Sequence, residues 1–492
     1  MMKTYGIRAN FAINIAGTIG PMIIALVTMP IYVSYLGAAR YGVVSIAWLL
    51  LGYFGFLDLG LSRATANALA KLGPSSSERA KILLTSFWVN LFLGITGGLI
   101  LYFSGMLIME RLLTVPPELK PEIEAAFPWI SCLLPLALVS GVGYGALESR
   151  ERFLAVNTLQ VVGTTVGQVI PALCAVFMSP SLAIVIPAAV LSRVFSILLV
   201  LGFVAREEWP LDPRTFDLKR CRELLGYGGW VSVTNIVGPI LTSLDQMVIG
   251  SLLGLAAVTH YSVPMSLVGR SQILAASLAR TLFPRMSRFN RDEASNLAEK
   301  AFVTLGYGFG AVSTAAIVLA RPFLVAWMGQ DFAVVATPVA ELLLIGGWIN
   351  GLAFLPYALL QGQGRPDIVA KFHVAELIPF VFILWFLANE YGLIGAATAW
   401  VLRVAADGGL LFAAARFQIP RLRAILVPFA FILTAFLLVR FVPLTLLDAF
   451  FVAAFLGGGL LVAAIFLDRN ARDFVLSLRF RKRSLTGTPM AP

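Results

Sequence analysis

Charge is scarce in this chain of 492 residues: 13% are Asp, Glu, Lys or Arg, against 59% hydrophobic, and the mean hydropathy is +0.87. That balance excludes a soluble globular domain, where about 25% of residues carry charge. Cysteine is scarce too. Cys132, Cys174 and Cys221 are the only three, too few and too scattered for a disulfide framework, and they suit small apolar packing positions. Also missing are a nucleotide-binding glycine loop, a cluster of metal ligands, and a nucleophile with a base beside it. No catalytic residue, resident metal or cofactor is therefore expected.

Apolar runs are what the chain has in abundance. A hydrocarbon core of ~30 Å needs about 20 residues of helix. Fourteen runs qualify, at 11–36, 42–70, 80–109, 123–146, 152–177, 181–205, 225–252, 256–283, 299–326, 338–360, 367–388, 393–416, 421–442 and 448–468. The expected fold class is an all-α polytopic membrane protein with 14 transmembrane helices. The first run is too long for a signal-peptide core and no small-residue cleavage site follows it, so it reads as a retained helix. The net charge of +11 does not point to nucleic acid, because its distribution has another explanation. With alternate loops assigned to opposite sides, most Lys and Arg fall on one side. Only Arg40, Arg111, Lys120, Arg321 and Arg440 fall on the other, so the positive-inside rule puts both termini in the cytoplasm. The tail run "RFRKR", Arg479 to Arg483, suits an anionic lipid surface or a plain topology anchor.

The chain also resembles itself. "IGPMIIALVTMPIYVSYLG" in the first helix and "VGPILTSLDQMVIGSLLG" in the seventh align Gly20-Pro21 with Gly238-Pro239 and Gly37 with Gly254, and Tyr41 and Tyr261 follow. "ESRERF" after the fourth helix is echoed by "QGQGRP" after the tenth. Matching elements six helices apart insert the same way round, which predicts a parallel repeat. The expected organisation is an N-lobe over 1–205, a cytoplasmic inter-lobe loop over 206–224, a C-lobe over 225–416, helices 13 and 14 over 417–468, and a basic tail over 469–492. Proline frees a backbone carbonyl and bends a helix, so Gly20, Pro21, Gly238 and Pro239 are candidate gating hinges. Small pairs such as Gly141/Gly145 and Gly163/Gly167 fit close helix contacts.

Eight ionisable groups lie well inside the expected helices: Asp58, Arg63, Arg193, Asp245, Arg270, Glu376, Arg403 and Asp407. At about 3 kcal/mol each they cannot face lipid, so they must meet one another or water. Arg403 and Asp407, four apart, can pair locally. Asp58 and Arg63 are about 140° apart around a helix and should face different neighbours. Arg193, Arg270 and Arg403 fall near mid-membrane and could form a cationic ring suited to phosphate, unless each is tied to a carboxylate. Arg63 lies nearer the cytoplasm, where an anionic headgroup would arrive. Asp58, Asp245 and Glu376 are candidate ion-coupling carboxylates; Asp245 and Glu376 lack an obvious local base, although His373 is one turn from Glu376.

"YGVVSIAWLLLGYFGFLDLGLSRATANALAK" and "LDQMVIGSLLGLAAVTHYSVP" resemble the polysaccharide-transporter branch of the multidrug/oligosaccharidyl-lipid/polysaccharide (MOP) exporter superfamily, which includes Wzx-type O-antigen flippases. The resemblance implies two six-helix lobes in a V with helices 13 and 14 added, alternating access, and a polyprenyl-pyrophosphate-linked oligosaccharide as substrate. It also implies proton or sodium coupling, the bacterial cytoplasmic membrane, membrane lipid around a monomer, and a polysaccharide polymerase and glycosyltransferases as partners. Three alternatives stay open. A cation-coupled multidrug exporter is disfavoured by the intramembrane arginines. A flippase for a peptidoglycan or teichoic precursor fits equally well on composition. A membrane glycosyltransferase would need an acidic cluster on a sizeable outer loop, and the most acidic one, "ERLLTVPPELKPEIEA", is short and also carries bases.

Overall fold

The computed structural model describes residues 7–72, 78–208, 215–222, 244–416, 423–468 and Arg472, with side chains from Gly20 onward. The described residues form helices and turns and contain no strand. Among the described residues, ten helical segments are long and apolar enough to cross a membrane. Their outer surface is greasy: Phe451, Phe455 and Phe466 are 74%, 78% and 81% exposed, a surface suited to lipid and not to water. The chain is a multi-pass membrane protein. It divides into two compact units, Met1–Thr259 and His260–Pro492.

In the first unit, α1 (Ile7–Leu36) runs as helix through Pro21 and Pro30 and meets α2 (Ala38–Phe54) at Gly37. The expected second span, 42–70, is not one helix. A 3-10 turn over Gly55–Asp58 and a left-handed pair, Leu59 and Gly60, separate α2 from α3 (Leu61–Ala70). Next come α4 (Glu78–Leu107), α5 (Lys120–Ser149), α6 (Phe153–Phe177) and α7 (Leu182–Glu208). Helix α5 packs on α4, α3 and α7, and α6 on α1 and α7. The stretch over 244–252 is helix α8; the preceding part of the expected seventh span, with Gly238 and Pro239, lies outside the described residues.

One end of this unit is locked by charge. Arg79 is 2% exposed and forks onto Glu208, with Nε to Oε2 at 3.0 Å and Nη2 to Oε1 at 2.7 Å. Its Nη1 donates to the Leu69 carbonyl and its Nη2 to Ser149 Oγ. Arg150 holds the same carboxylate from the other side at 2.6 and 2.9 Å. A buried guanidinium is tolerable only when its donors are all engaged, and here it joins the ends of α3, α4, α5 and α7. Asp217, in the expected inter-lobe loop, adds a bond from its amide to Thr85 Oγ1, and Arg220 pairs with Glu78 at 3.3 Å.

The second unit holds most of α9 (Leu255–Met286), then α10 (Arg291–Met328) and α11 (Gln330–Gly362). Asn290 caps α10 by accepting from the Glu293 amide at 2.9 Å. Trp348 is fully buried on α11 and donates to the Gly306 carbonyl of α10 at 3.2 Å. Helices α13 (Arg423–Phe441) and α14 (Leu446–Leu467) pack on α10. Helix α12 (Pro366–Ala415) has 50 residues, about 75 Å if straight and more than twice a membrane's core. It is broken at Gly392, with φ +60° and ψ −139°, a conformation essentially closed to residues with a Cβ. Contacts between residues 376 and 403, and between 373 and 407, show its two arms lying antiparallel.

Candidate functional site

Arg193 lies eleven residues into α7, about 16 Å from that end and well inside the apolar span. Its side chain is exposed, yet its guanidinium is densely surrounded by protein. A charge at this depth cannot open onto lipid, so it must meet water or polar groups. The guanidinium carbon sits over the Trp48 ring of α2, 4.8 Å from the centroid. Tyr144 of α5 is its electrostatic neighbour, and no carboxylate among the described residues pairs with it. The charge of Arg193 is held in place without being neutralised.

Arg403 has the opposite surroundings. Its Nη1 is 3.8 Å from Glu376 Oε2, and its guanidinium covers the Phe380 ring at 5.2 Å. The local pair with Asp407 that helical spacing suggested does not form; Asp407 instead faces His373, with Oδ1 to Nε2 at 3.8 Å. The reason is the break at Gly392, which folds the two arms of α12 together and brings a nearer acid to the arginine. Glu376 likewise has a base, Arg403, that its own helix did not reveal. Tyr357 of α11 stacks over His373 at 6.4 Å. Separations of 3.8 Å are too long for hydrogen bonds. Glu376 Oε1 and Oε2, Asp407 Oδ1 and Arg403 Nε are buried without a hydrogen-bond partner.

The remaining candidates are dispersed. Asp58 receives the Ser62 hydroxyl at 2.7 Å, the Ser62 amide at 3.2 Å and Asn90 Nδ2 at 3.1 Å. It thus serves the first turn of α3 at the helix break, while Arg63 is exposed and turned elsewhere. Asp245 is 1% exposed at the start of α8, and its Oδ1 accepts from the Gln246 amide at 2.8 Å. Arg270 is half-buried on α9, two residues from Gln272, whose amide donates to the Gly347 carbonyl at 2.8 Å. Gly20 packs on Val161 of α6, and Pro21 beside it is half-buried. Sequence reasoning missed two features: the Trp48 platform, and the Arg79–Glu208–Arg150 lock. An aromatic in an apolar helix carries no signal of its own, and charges at helix ends are already explained by topology.

The sequence profile of the family described as polysaccharide biosynthesis protein matches residues 7–290. The chain belongs to that family, within the polysaccharide-transporter branch of the MOP superfamily. It is 29% identical over 409 residues, 82% of this chain and 96% of the relative, to a Shigella flexneri protein named "Putative O-antigen transporter". Among solved structures it is similar to the lipid II flippase MurJ in an inward closed conformation, with a TM-score of 0.75, 14% identity, and coverage of 94% of this chain and 100% of the other. An inward-facing MATE multidrug transporter of the MOP superfamily follows at 0.66 and 16% identity, covering 83% and 98%. At these identities the two structures establish the family's fold and nothing about substrate.

Proposed function

We propose that this family member flips a polyprenyl-pyrophosphate-linked oligosaccharide, the repeat unit of an O-antigen, capsule or exopolysaccharide, across the bacterial cytoplasmic membrane by alternating access. Fourteen spans are assigned on this reading: α2, its 3-10 turn and α3 together make one, α8 with the residues before it another, and the arms of α12 two more. Residues 1–205 and 225–416 are then two six-helix lobes joined by 206–224, with helices 13 and 14 over 417–468, a tail over 469–492, and both termini cytoplasmic. Gly20, Pro21, Gly238 and Pro239 act as hinges.

The observation that carries the reading is Arg193: an exposed guanidinium at mid-span that no acid among the described residues offsets. Such a site draws an anion into the membrane and disfavours a cationic drug. Arg63, Arg270 and Arg403 are assigned to the same anionic path, Arg403 contributing least because Glu376 offsets it. Coupling to protons or sodium is assigned to Glu376 and Asp245, and least to Asp58, whose oxygens already serve a helix start. The named O-antigen relative supports a glycan cargo. A peptidoglycan or teichoic precursor is the second reading, since it shares the lipid pyrophosphate that Arg193 would hold.

The test is complementation. In a strain lacking its own O-antigen flippase, the wild-type chain should restore surface glycan, and Arg193→Ala at matched protein level should lower it at least about tenfold, the scale of one charge-assisted contact. Restored peptidoglycan synthesis in a strain depleted of its lipid II flippase, with no surface glycan in the first strain, would replace this cargo by the second.

A further inference from the structure

We infer that Trp48 is the positioning residue of an oxyanion site whose charged group is Arg193, and that the site takes the phosphoryl portion of a lipid pyrophosphate. The identity of the lipid carrier rests on the flippase reading; the site itself rests on three side chains and one glycine from four helices. Arg193 of α7 lies with its guanidinium over the Trp48 indole of α2 at 4.8 Å. A hypothetical Cβ on Gly167 of α6 would stand 3.9 Å from Arg193 Cγ, ordinary contact distance, so the arginine's stem lies against that helix. Tyr144 of α5 adds a neutral phenol near the charge.

The choice of an indole as the holding group has a chemical consequence. A carboxylate would fix the guanidinium equally well, but it would cancel the charge and occupy the in-plane N–H groups. An aromatic face attracts the cation through its quadrupole from above. The planar fork of donors then stays open at its edge, the geometry that grips two phosphoryl oxygens. Arg403 illustrates the other design. It too lies on a ring, Phe380, but Glu376 is beside it at 3.8 Å, so its charge is already opposed. Of these two mid-span arginines, Arg193 is the one arranged to hold an incoming anion.

The experiment uses the full-length chain in lipid nanodiscs and radiolabelled farnesyl pyrophosphate, a short polyprenyl pyrophosphate, so that loss of a tryptophan does not alter the readout. Farnesol, inorganic pyrophosphate and discs with or without phosphatidylglycerol separate the lipid pyrophosphate from its tail, from the free anion and from ordinary anionic lipid. Wild type should bind farnesyl pyrophosphate and not farnesol, with competition from pyrophosphate stronger than from phosphatidylglycerol. Trp48→Ala should weaken binding about tenfold, while Trp48→Phe, which keeps a π face, should stay within about threefold. Arg193→Ala should remove the anion preference, and adding Trp48→Ala to it should cost nothing more. Unfolding temperature and gel filtration identify any variant that fails to fold, and the Phe variant keeps the comparison valid if the Ala variant does. Additive losses from Arg193→Ala and Trp48→Ala, wild-type binding by Trp48→Ala, or equal displacement by phosphatidylglycerol would each overturn the inference. Glycan export by a wild-type chain that binds no farnesyl pyrophosphate overturns the site and leaves the flippase reading standing; binding without export does the reverse.

Discussion

Arg79 and Arg193 both lie in apolar helices of the first unit, and their neighbours give them opposite work. Arg79 has its donors engaged by Glu208, Ser149 and the Leu69 carbonyl, so removing it leaves the buried Glu208 carboxylate to Arg150 alone and takes the donor from the end of α3. Arg79→Ala should cost about 3 kcal/mol of stability, read as a large drop in unfolding temperature in detergent. Arg193→Ala should change stability by less than about 1 kcal/mol, because a cation–π contact at an exposed site is worth no more, and its effect should appear in transport. Similar drops for the two variants would contradict this division of labour. The set of intramembrane charges was legible in the sequence, because any charge in an apolar run is conspicuous. Its pairing was not. Helical spacing favours Arg403 with Asp407, and only the chain reversal at Gly392 shows that Glu376 is the partner.

Elements were legible where their signals are local. Gly37 and Gly254, matched in the sequence, both take positive φ, at +79° and +84°. The two echoed loops also make the same turn. The Arg152 amide donates to the Leu147 carbonyl at 3.0 Å, and the Arg365 amide to the Leu360 carbonyl at 2.9 Å. Each bond spans five residues and closes a helix through one left-handed position. That position is Gly364 in one turn and Glu151, at φ +56°, in the other. Since a Cβ is disfavoured there, Glu151→Gly should raise stability by about 1 kcal/mol in a thermal or denaturant melt, whereas Gly364→Ala should lower it similarly. The packing of the first turns of α2 on the start of α9 follows from close approach and was invisible to pattern. A Cβ on Gly42 would collide with the Leu255 carbonyl at the start of α9, and Thr259 Oγ1 donates to the Ala38 carbonyl at 2.6 Å beside it. Gly42→Ala should force this contact apart. Labelling of a cysteine at Thr259→Cys by an impermeant maleimide, in a background without Cys132, Cys174 and Cys221, should then speed up severalfold. Unchanged labelling would mean that the contact gives way elsewhere.

At the scale of the whole molecule, the His373, Glu376, Arg403 and Asp407 cluster carries the question of drive. Glu376 faces Arg403 and Asp407 faces His373, and three of the carboxylate oxygens are buried without a hydrogen bond. Burying carboxylate oxygens without hydrogen bonds is costly. On the proposed flippase reading, a proton or a monovalent cation that arrives in one state of the cycle and leaves in the other would offset that cost. Moving one charge with each turnover across 100 mV supplies ~2.3 kcal/mol, roughly a 50-fold accumulation ratio. In everted vesicles given a labelled lipid-linked substrate, wild-type transport should fall by up to that factor when the proton gradient is collapsed, or when sodium is withdrawn if sodium is the ion. Glu376→Gln and Asp245→Asn, at matched protein level, should transport slowly and respond to neither treatment. A wild type indifferent to both gradients would remove ion drive and leave the cluster as packing. Variants that keep the wild-type response would move the coupling site elsewhere and leave the proposed anion site at Arg193 to its own test.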